Sequence, residues 1–245
     1  MLNKLADLTY QDFSNIVPRK IDSVLLPIGT IEAHGCTNLG TDITIPEFIC
    51  DEIAGRMPFL IAPTIPYGIT RTLLPYPGSM TVSPETFESY VADVLNSLFL
   101  CGFEKVIIMN GHGGHYEQLA SAAKNVWRET GGKTLVIHWW DICEPLTKEY
   151  FGEAGGHAGI NETAMILAKD SALVKPEQCE KVKPYLVRNG AYPYPNPSSI
   201  LIYKESEGAP KFDEIMAKEY AEKIISFLVS FIEEVFTGWE KHLNV

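Results

Sequence analysis

The stretch Lys105-Val106-Ile107-Ile108-Met109-Asn110-Gly111-His112-Gly113-Gly114-His115 decides the fold class. Val106, Ile107 and Ile108 are apolar in a row. A short, continuous apolar run suits a strand covered on both faces, as in a parallel sheet. It ends in a loop of glycines and histidines. Tyr116–Thr130 then places apolar residues at Leu119, Ala122, Ala123 and Val126 and stops at Gly131-Gly132, which predicts a helix.

Strand, polar loop and helix form the repeating unit of an α/β domain, and the unit recurs on both sides of this stretch. Ser23–Ile28, ended by Gly29, reads as a strand, as do Phe59–Ala62 and Lys133–His138. Pro46–Arg56 reads as a helix capped at Thr44 or Ile45. Pro84–Leu100 has Ser83 as its N-cap, proline at its first position and Gly102 as its stop. Ile160–Lys169 is a further helix. Over Lys211–Phe236, Ala217, Ala221, Ile224, Leu228, Phe231 and Val235 recur at steps of four and three, which makes one apolar stripe. The expected architecture is a three-layer single α/β domain over 1–245, with a mostly parallel central sheet flanked by helices. Val182–Pro210 carries five prolines and four tyrosines. It is too long for an ordinary connection, so it is expected to be a lid, an edge excursion or an oligomer contact.

A chain of 245 residues can bury a sizeable core. Its charge, 20 − 31 = −11, repels phosphate backbones and anionic lipid, which argues against nucleic acid as a partner. The five cysteines are odd in number and form no C-x-x-C pair. A disulfide framework or zinc knot is therefore not expected, and a reducing, cytoplasmic setting is. Cys36 is expected to be a bystander, although it adjoins the polar cluster described next. Met1 to Tyr10 holds no apolar run of the secretory type, and no stretch has the roughly 18 apolar residues of a membrane span.

Three glycine-flanked segments gather most of the histidines. The first is Gly29-Thr30-Ile31-Glu32-Ala33-His34-Gly35. In extended backbone Glu32 and His34 point to the same side and can converge on one ion or on neighbouring ions. Asp42 follows across a loop containing Gly40, and a carboxylate can bridge two metals with its two oxygens. The second segment puts His112 at the tip of a strand. The third, Gly155-Gly156-His157-Ala158-Gly159-Ile160-Asn161-Glu162-Thr163, starts a helix, and Glu162 stands in its first turn. Each residue alone has a plainer reading: a surface histidine, a helix-start acid, a turn. Together they make a histidine and carboxylate set of the kind that suits zinc, manganese or related ions. For Trp139 and Trp140, packing is the preferred reading.

The combination resembles the creatininase (creatinine amidohydrolase) family. The matching residues are Leu26-Pro27-Ile28-Gly29-Thr30-Ile31-Glu32-Ala33-His34-Gly35, Leu39-Gly40-Thr41-Asp42, Asn110-Gly111-His112-Gly113-Gly114, and His157-Ala158-Gly159 with Glu162-Thr163. The resemblance implies two divalent metal ions per chain, zinc paired with zinc, manganese or iron. It implies a small-molecule substrate hydrolysed at a C–N bond of a cyclic amide or formamide, and a homo-oligomer, in many members a hexamer. Residue by residue, it implies Glu32 and His34 as ligands of different metals, Asp42 as the bridge, His112 as a further ligand and His157 as the proton shuttle. Creatinine-cleaving members have Tyr-Glu after Asn-Gly-His, where this chain has Gly113-Gly114. The missing glutamate ligand is expected to be Glu162, with Glu117 as the second candidate. Ser79, in a Pro77-Gly78-Ser79 loop that the family places near its site, and Tyr116 are expected to touch substrate. A metal hydrolase of a cyclic polyol ketone or lactone, a non-catalytic relative and a cysteine hydrolase using Cys36 are the alternative readings.

Overall fold

Four parallel strands in the order β2-β1-β3-β4 form the central sheet of the computed structural model, which describes residues 3–179 and 207–242. They are β1 (Ser23–Ile28), β2 (Leu60–Ile61), β3 (Lys105–Asn110) and β4 (Lys133–His138). β1 and β3 pair along their whole length, from Ser23 opposite Lys105 to Ile28 opposite Asn110. The helices are α1 (Tyr10–Ile16), α2 (Thr41–Ala54), α3 (Pro84–Leu100), α4 (Tyr116–Thr130), α5 (Trp139–Ile142), α6 (Glu144–Phe151), α7 (Ile160–Lys169) and α8 (Glu214–His242).

The period of two along each strand divides its side chains between two cores. Leu25, Ile107, Met109 and Ile137 pack with residues of α2, α7 and α8. Val24, Leu26, Ile28, Val106 and Ile108 pack with residues of α3 and α4 on the other face. Both faces of the sheet are therefore apolar, and the strands read as unbroken apolar runs. Each fully buried aliphatic side chain contributes about 1.5–3 kcal/mol.

β1, β4, α3, α4 and α7 have the bounds expected from the sequence. Ser83 caps α3 by accepting from the Thr86 N–H at 3.2 Å. Other elements correct the expectation. α2 begins at Thr41, not Pro46, so Pro46 lies inside the helix and Asp42 in its first turn. β2 keeps only two of the four expected residues, and α8 runs from Glu214 to His242. α1, with a capping box between Thr9 and Asp12, and the short α5 and α6 were not expected. Most of the Val182–Pro210 segment lies outside the described residues. Among the described residues no helix is long and apolar enough to cross a membrane.

Candidate metal centre

β1 and β3 end side by side, and the chain leaving each carries candidate ligands at the carboxyl edge of the sheet. The loop after β1 supplies Glu32 and His34, and the loop after β3 supplies His112. Asp42 comes from the first turn of α2 and Glu162 from that of α7. Glu32, His34, Asp42 and Glu162 are buried. The two Asp42 oxygens face different rings: Oδ1 lies 2.9 Å from His34 Nε2, and Oδ2 lies 2.7 Å from His112 Nδ1. Glu32 Oε2 stands 3.5 Å from His112 Nδ1, and Glu162 Oε2 stands 3.8 Å from His34 Nε2.

Three overlapping triads have donor atoms within 4.8 Å of one another: Glu32, Asp42 and His112; His34, Asp42 and Glu162; and Glu32, His34 and His157. Asp42 belongs to the first two. Glu117 belongs to none of the three, although it lines the adjoining cavity.

The histidine rings share one arrangement. A carbonyl can only accept, so the ring nitrogen facing it must donate. His34 Nδ1 donates to the Glu32 carbonyl, His112 Nε2 to the Ile69 carbonyl and His157 Nε2 to the Ala33 carbonyl, each at 2.9 Å. The second nitrogen of each ring is thereby turned toward the carboxylates. His34 Nε2 is buried and close to Asp42 Oδ1, yet lacks the alignment of a hydrogen bond. A buried nitrogen without a proper partner, facing buried carboxylates, is a site that a cation would satisfy. Two imidazoles and three carboxylates suit zinc or manganese. The residues fit a divalent metal.

In the metal-free protein, protons take part of the cation's place. Burial pushes His34 down, but the Asp42 carboxylate, with Glu162 and Glu32, outweighs it and lifts the ring to about 10. His112 is raised by Asp42 in the same way against its burial. Burial raises Glu162 to about 7. Burial also raises Asp42, but His34 and His112 together hold it far below the usual carboxylate range. His34 has a folded value above its ordinary 6.5. Its stabilisation of the metal-free fold is therefore complete below pH 6.5 and is lost as pH rises through about 10. A metal must displace that proton, so apparent zinc affinity is expected to rise from pH 6 to 8, by about tenfold per unit for each proton displaced. Calorimetric titrations in two buffers of different ionisation enthalpy count those protons. A count of zero at pH 7 would show that the rings are already neutral.

A cavity of about 580 Å³ opens beside the cluster, with Glu32, Asp42, His112, Tyr116, Trp140 and Glu162 on its wall. Tyr116 donates its hydroxyl to Asp141 and stacks on His138 at 3.9 Å. Ser79 is not on the wall. Its Oγ accepts from the Ala33 N–H at 3.0 Å, which holds the loop carrying Glu32 and His34. Trp139 is core, as expected, whereas Trp140 reaches the cavity. Arg71, Asp141, Glu144 and Glu207 also line it and were not singled out from the sequence. They lie in loops and short helices without a motif. Burial, with the neighbouring Cys179 thiol, pushes Cys36 up to about 12, so it is no thiolate nucleophile at neutral pH.

The model of the creatininase family, described as creatinine amidohydrolase, matches residues 6–221. The chain belongs to the creatininase family. Creatinine amidohydrolase of Pseudomonas putida is 25% identical over 185 residues, which cover 67% of this chain and 70% of that protein. The mycofactocin precursor peptide peptidase of Mycobacterium ulcerans is 29% identical over 63% of this chain and 61% of its own. The 3-dehydro-scyllo-inosose hydrolase of Thermotoga maritima is 29% identical over 40% of this chain and 32% of its own. The match thus spans less than two thirds of the last two. A zinc–zinc form and a manganese form of creatininase each share the fold at a TM-score of 0.80 and 21% identity, over 96% of this chain and 99% of theirs. Membership makes this creatininase-family chain a metal-dependent amidohydrolase by class.

Proposed function

We propose that the chain hydrolyses a C–N bond in a small cyclic amide or formamide, using two divalent ions per chain. Glu32, Asp42 and His112 would hold one ion and His34, Asp42 and Glu162 the other, with zinc in one place and zinc, manganese or iron in the other. The observation that carries this reading is the shared arrangement of His34 and His112. Each spends one ring nitrogen on a backbone carbonyl and turns the other toward a carboxylate shared between them.

When bound, the ions would supply a Lewis acid for the scissile carbonyl and a water of lowered pKa. The chain's own groups do the rest. His157 presents Nδ1 to Glu32 at 3.8 Å. Burial and the charge on His34 push His157 down to about 3, so its ring is neutral at pH 7. It would relay a proton from the attacking water to the leaving nitrogen only as the C–N bond breaks. Tyr116, on the cavity wall, would touch the substrate, and Ser79 would hold the Glu32–His34 loop. We place the enzyme in the cytoplasm as a homo-oligomer, a hexamer by analogy with the family.

Elemental analysis of protein purified without added metal or chelator tests this reading. About two equivalents of zinc, manganese or iron per chain are expected. Near-zero metal that soaking does not restore would overturn it. The similarity to a hydrolase of a cyclic inosose favours one second reading, cleavage in a cyclic polyol ketone or lactone. A screen of cyclic amides, formamides, short peptides and cyclic diketones separates the two by which class turns over.

A further inference from the structure

Asn110 is the last residue of β3 and is fully buried. Its amide makes all four hydrogen bonds open to it. Nδ2 donates to the His112 carbonyl at 2.7 Å and to His138 Nδ1 at 2.8 Å. Oδ1 accepts from the His112 N–H at 3.2 Å and from His115 Nδ1 at 2.9 Å. The amide cannot be turned over. The His112 N–H can only donate and its carbonyl only accept, so the two backbone groups fix which end of Asn110 is which.

That orientation determines the next bonds in turn. His115 must carry its proton on Nδ1, because its partner there is an oxygen that can only accept. Its Nε2 is then an acceptor, and it takes the Ile69 N–H at 3.1 Å. Ile69 is thereby held in place, and its carbonyl accepts from His112 Nε2 at 2.9 Å. With its proton on Nε2, the neutral His112 ring keeps its lone pair on Nδ1, the atom facing Asp42 and Glu32. The chain of bonds starts at Asn110 and returns to His112. It grips that residue's backbone from one side and its ring from the other. The His115 ring is locked in turn by stacking on Phe87 at 4.3 Å.

We propose that Asn110 is a positioning residue: through His115 and the Ile69 backbone it sets the tautomer and the aim of His112 toward a divalent metal. The inference rests on the proposed metal site. The same amide also orients His138, on which Tyr116 stacks, so one buried group aligns both a ligand and a wall of the cavity. A buried polar network in which every member is satisfied gives a single arrangement, and opening it at any point loosens the whole.

Two variants open the network at different points. Asn110→Asp keeps the shape and both acceptor positions but removes both donors. His115→Phe leaves the His112 backbone contacts untouched and removes both the donor to Asn110 and the acceptor for Ile69. Zinc affinity is measured by chelator competition, and ligand geometry by the visible absorption of the cobalt-loaded protein. Both variants are expected to bind zinc about 10- to 100-fold more weakly. Their cobalt bands should be shifted relative to wild type, which a loss of general stability would not cause. Wild-type cobalt bands with zinc affinity within about twofold in folded His115→Phe would overturn the proposal, even if Asn110→Asp fails to fold. A wild-type protein that takes up neither zinc nor cobalt would instead overturn the metal site itself.

Discussion

Asp42→Asn is expected to lower metal content from about two equivalents per chain to one or fewer, and to cut turnover by about 10²–10⁴-fold. The magnitude follows from the geometry. Removing a group that only supports a ligand typically costs about 10- to 100-fold in affinity or activity. Asp42 stands in two of the three triads and offers a separate oxygen to His34 and to His112, so its loss would count at each of the proposed ions. Asparagine retains the shape but has one oxygen, no charge and an NH₂ where the second acceptor was. Metal-dependent stability should disappear with the ions. At a free metal concentration of about 1,000 times Kd, binding adds about 4 kcal/mol to the wild type. In a chain of this size that is a rise in Tm of about 8–16 °C. Melting curves with and without chelator read this directly. A variant that kept two equivalents of metal and the full wild-type gain in Tm would remove Asp42 from the site.

The candidate cluster is legible in the sequence because its residues sit where the fold gathers polar side chains. Glu32, His34 and His112 follow the ends of short apolar runs, and strand ends in such a sheet are where reactive groups collect. Glu162 follows a glycine segment and opens a helix whose bounds are themselves plain in the apolar pattern. The residues that were missed have no such marker. Ile69 takes part through its backbone alone, so no side-chain pattern could reveal it. His115 was visible as a residue, but its task depends on a loop some forty residues earlier in the chain. Asp141 and Glu144 sit in α5 and α6, which are too short for periodicity to speak. Ser79 was expected to touch substrate, but its hydroxyl accepts from the backbone of Ala33 and is not on the cavity wall.

The start of α2 is the most instructive error. Pro46 reads as a first helical residue, since proline is favoured there and costly further in. The helix nevertheless begins five residues earlier, at Thr41. Proline at 46 has no N–H to give to the Asp42 carbonyl four residues back. That carbonyl lies against the chain that leaves β1 and β3. A Cβ built on Gly29 would come within 2.2 Å of it, and one on Gly111 within 2.0 Å. The early turn of α2 is thus seated on two strand ends, and this seat brings Asp42 to the cluster.

Gly111→Ala is therefore expected to damage both fold and site. Its Cβ would overlap only backbone and ring atoms: the Asp42 oxygen at 2.0 Å, the Asp42 carbonyl carbon at 2.9 Å and Pro46 Cδ at 3.0 Å. No flexible side chain can swing aside. Relaxing the carbon–oxygen contact to about 3.3 Å requires a shift of about 1.3 Å. The first turn of α2 must move, and Asp42 moves with it. Overpacking of this kind costs about 1–3 kcal/mol, and the upper end applies where backbone is overlapped. The expected fall in Tm for about 3 kcal/mol is about 6–12 °C. A misplacement of about 1 Å at the reacting groups costs on the order of 10²-fold in turnover, so activity should fall more steeply than stability. Gly113→Ala, two residues along the same loop, is the matched control. A Cβ there meets nothing within 4 Å, so stability should stay within about 0.5 kcal/mol of wild type. If both alanine variants melted like the wild type and bound zinc equally well, the close seating of α2 on β1 and β3 could not be what positions Asp42. If Gly111→Ala alone lost metal and stability, a residue that donates no ligand atom would be shown to set the place of the carboxylate shared between His34 and His112.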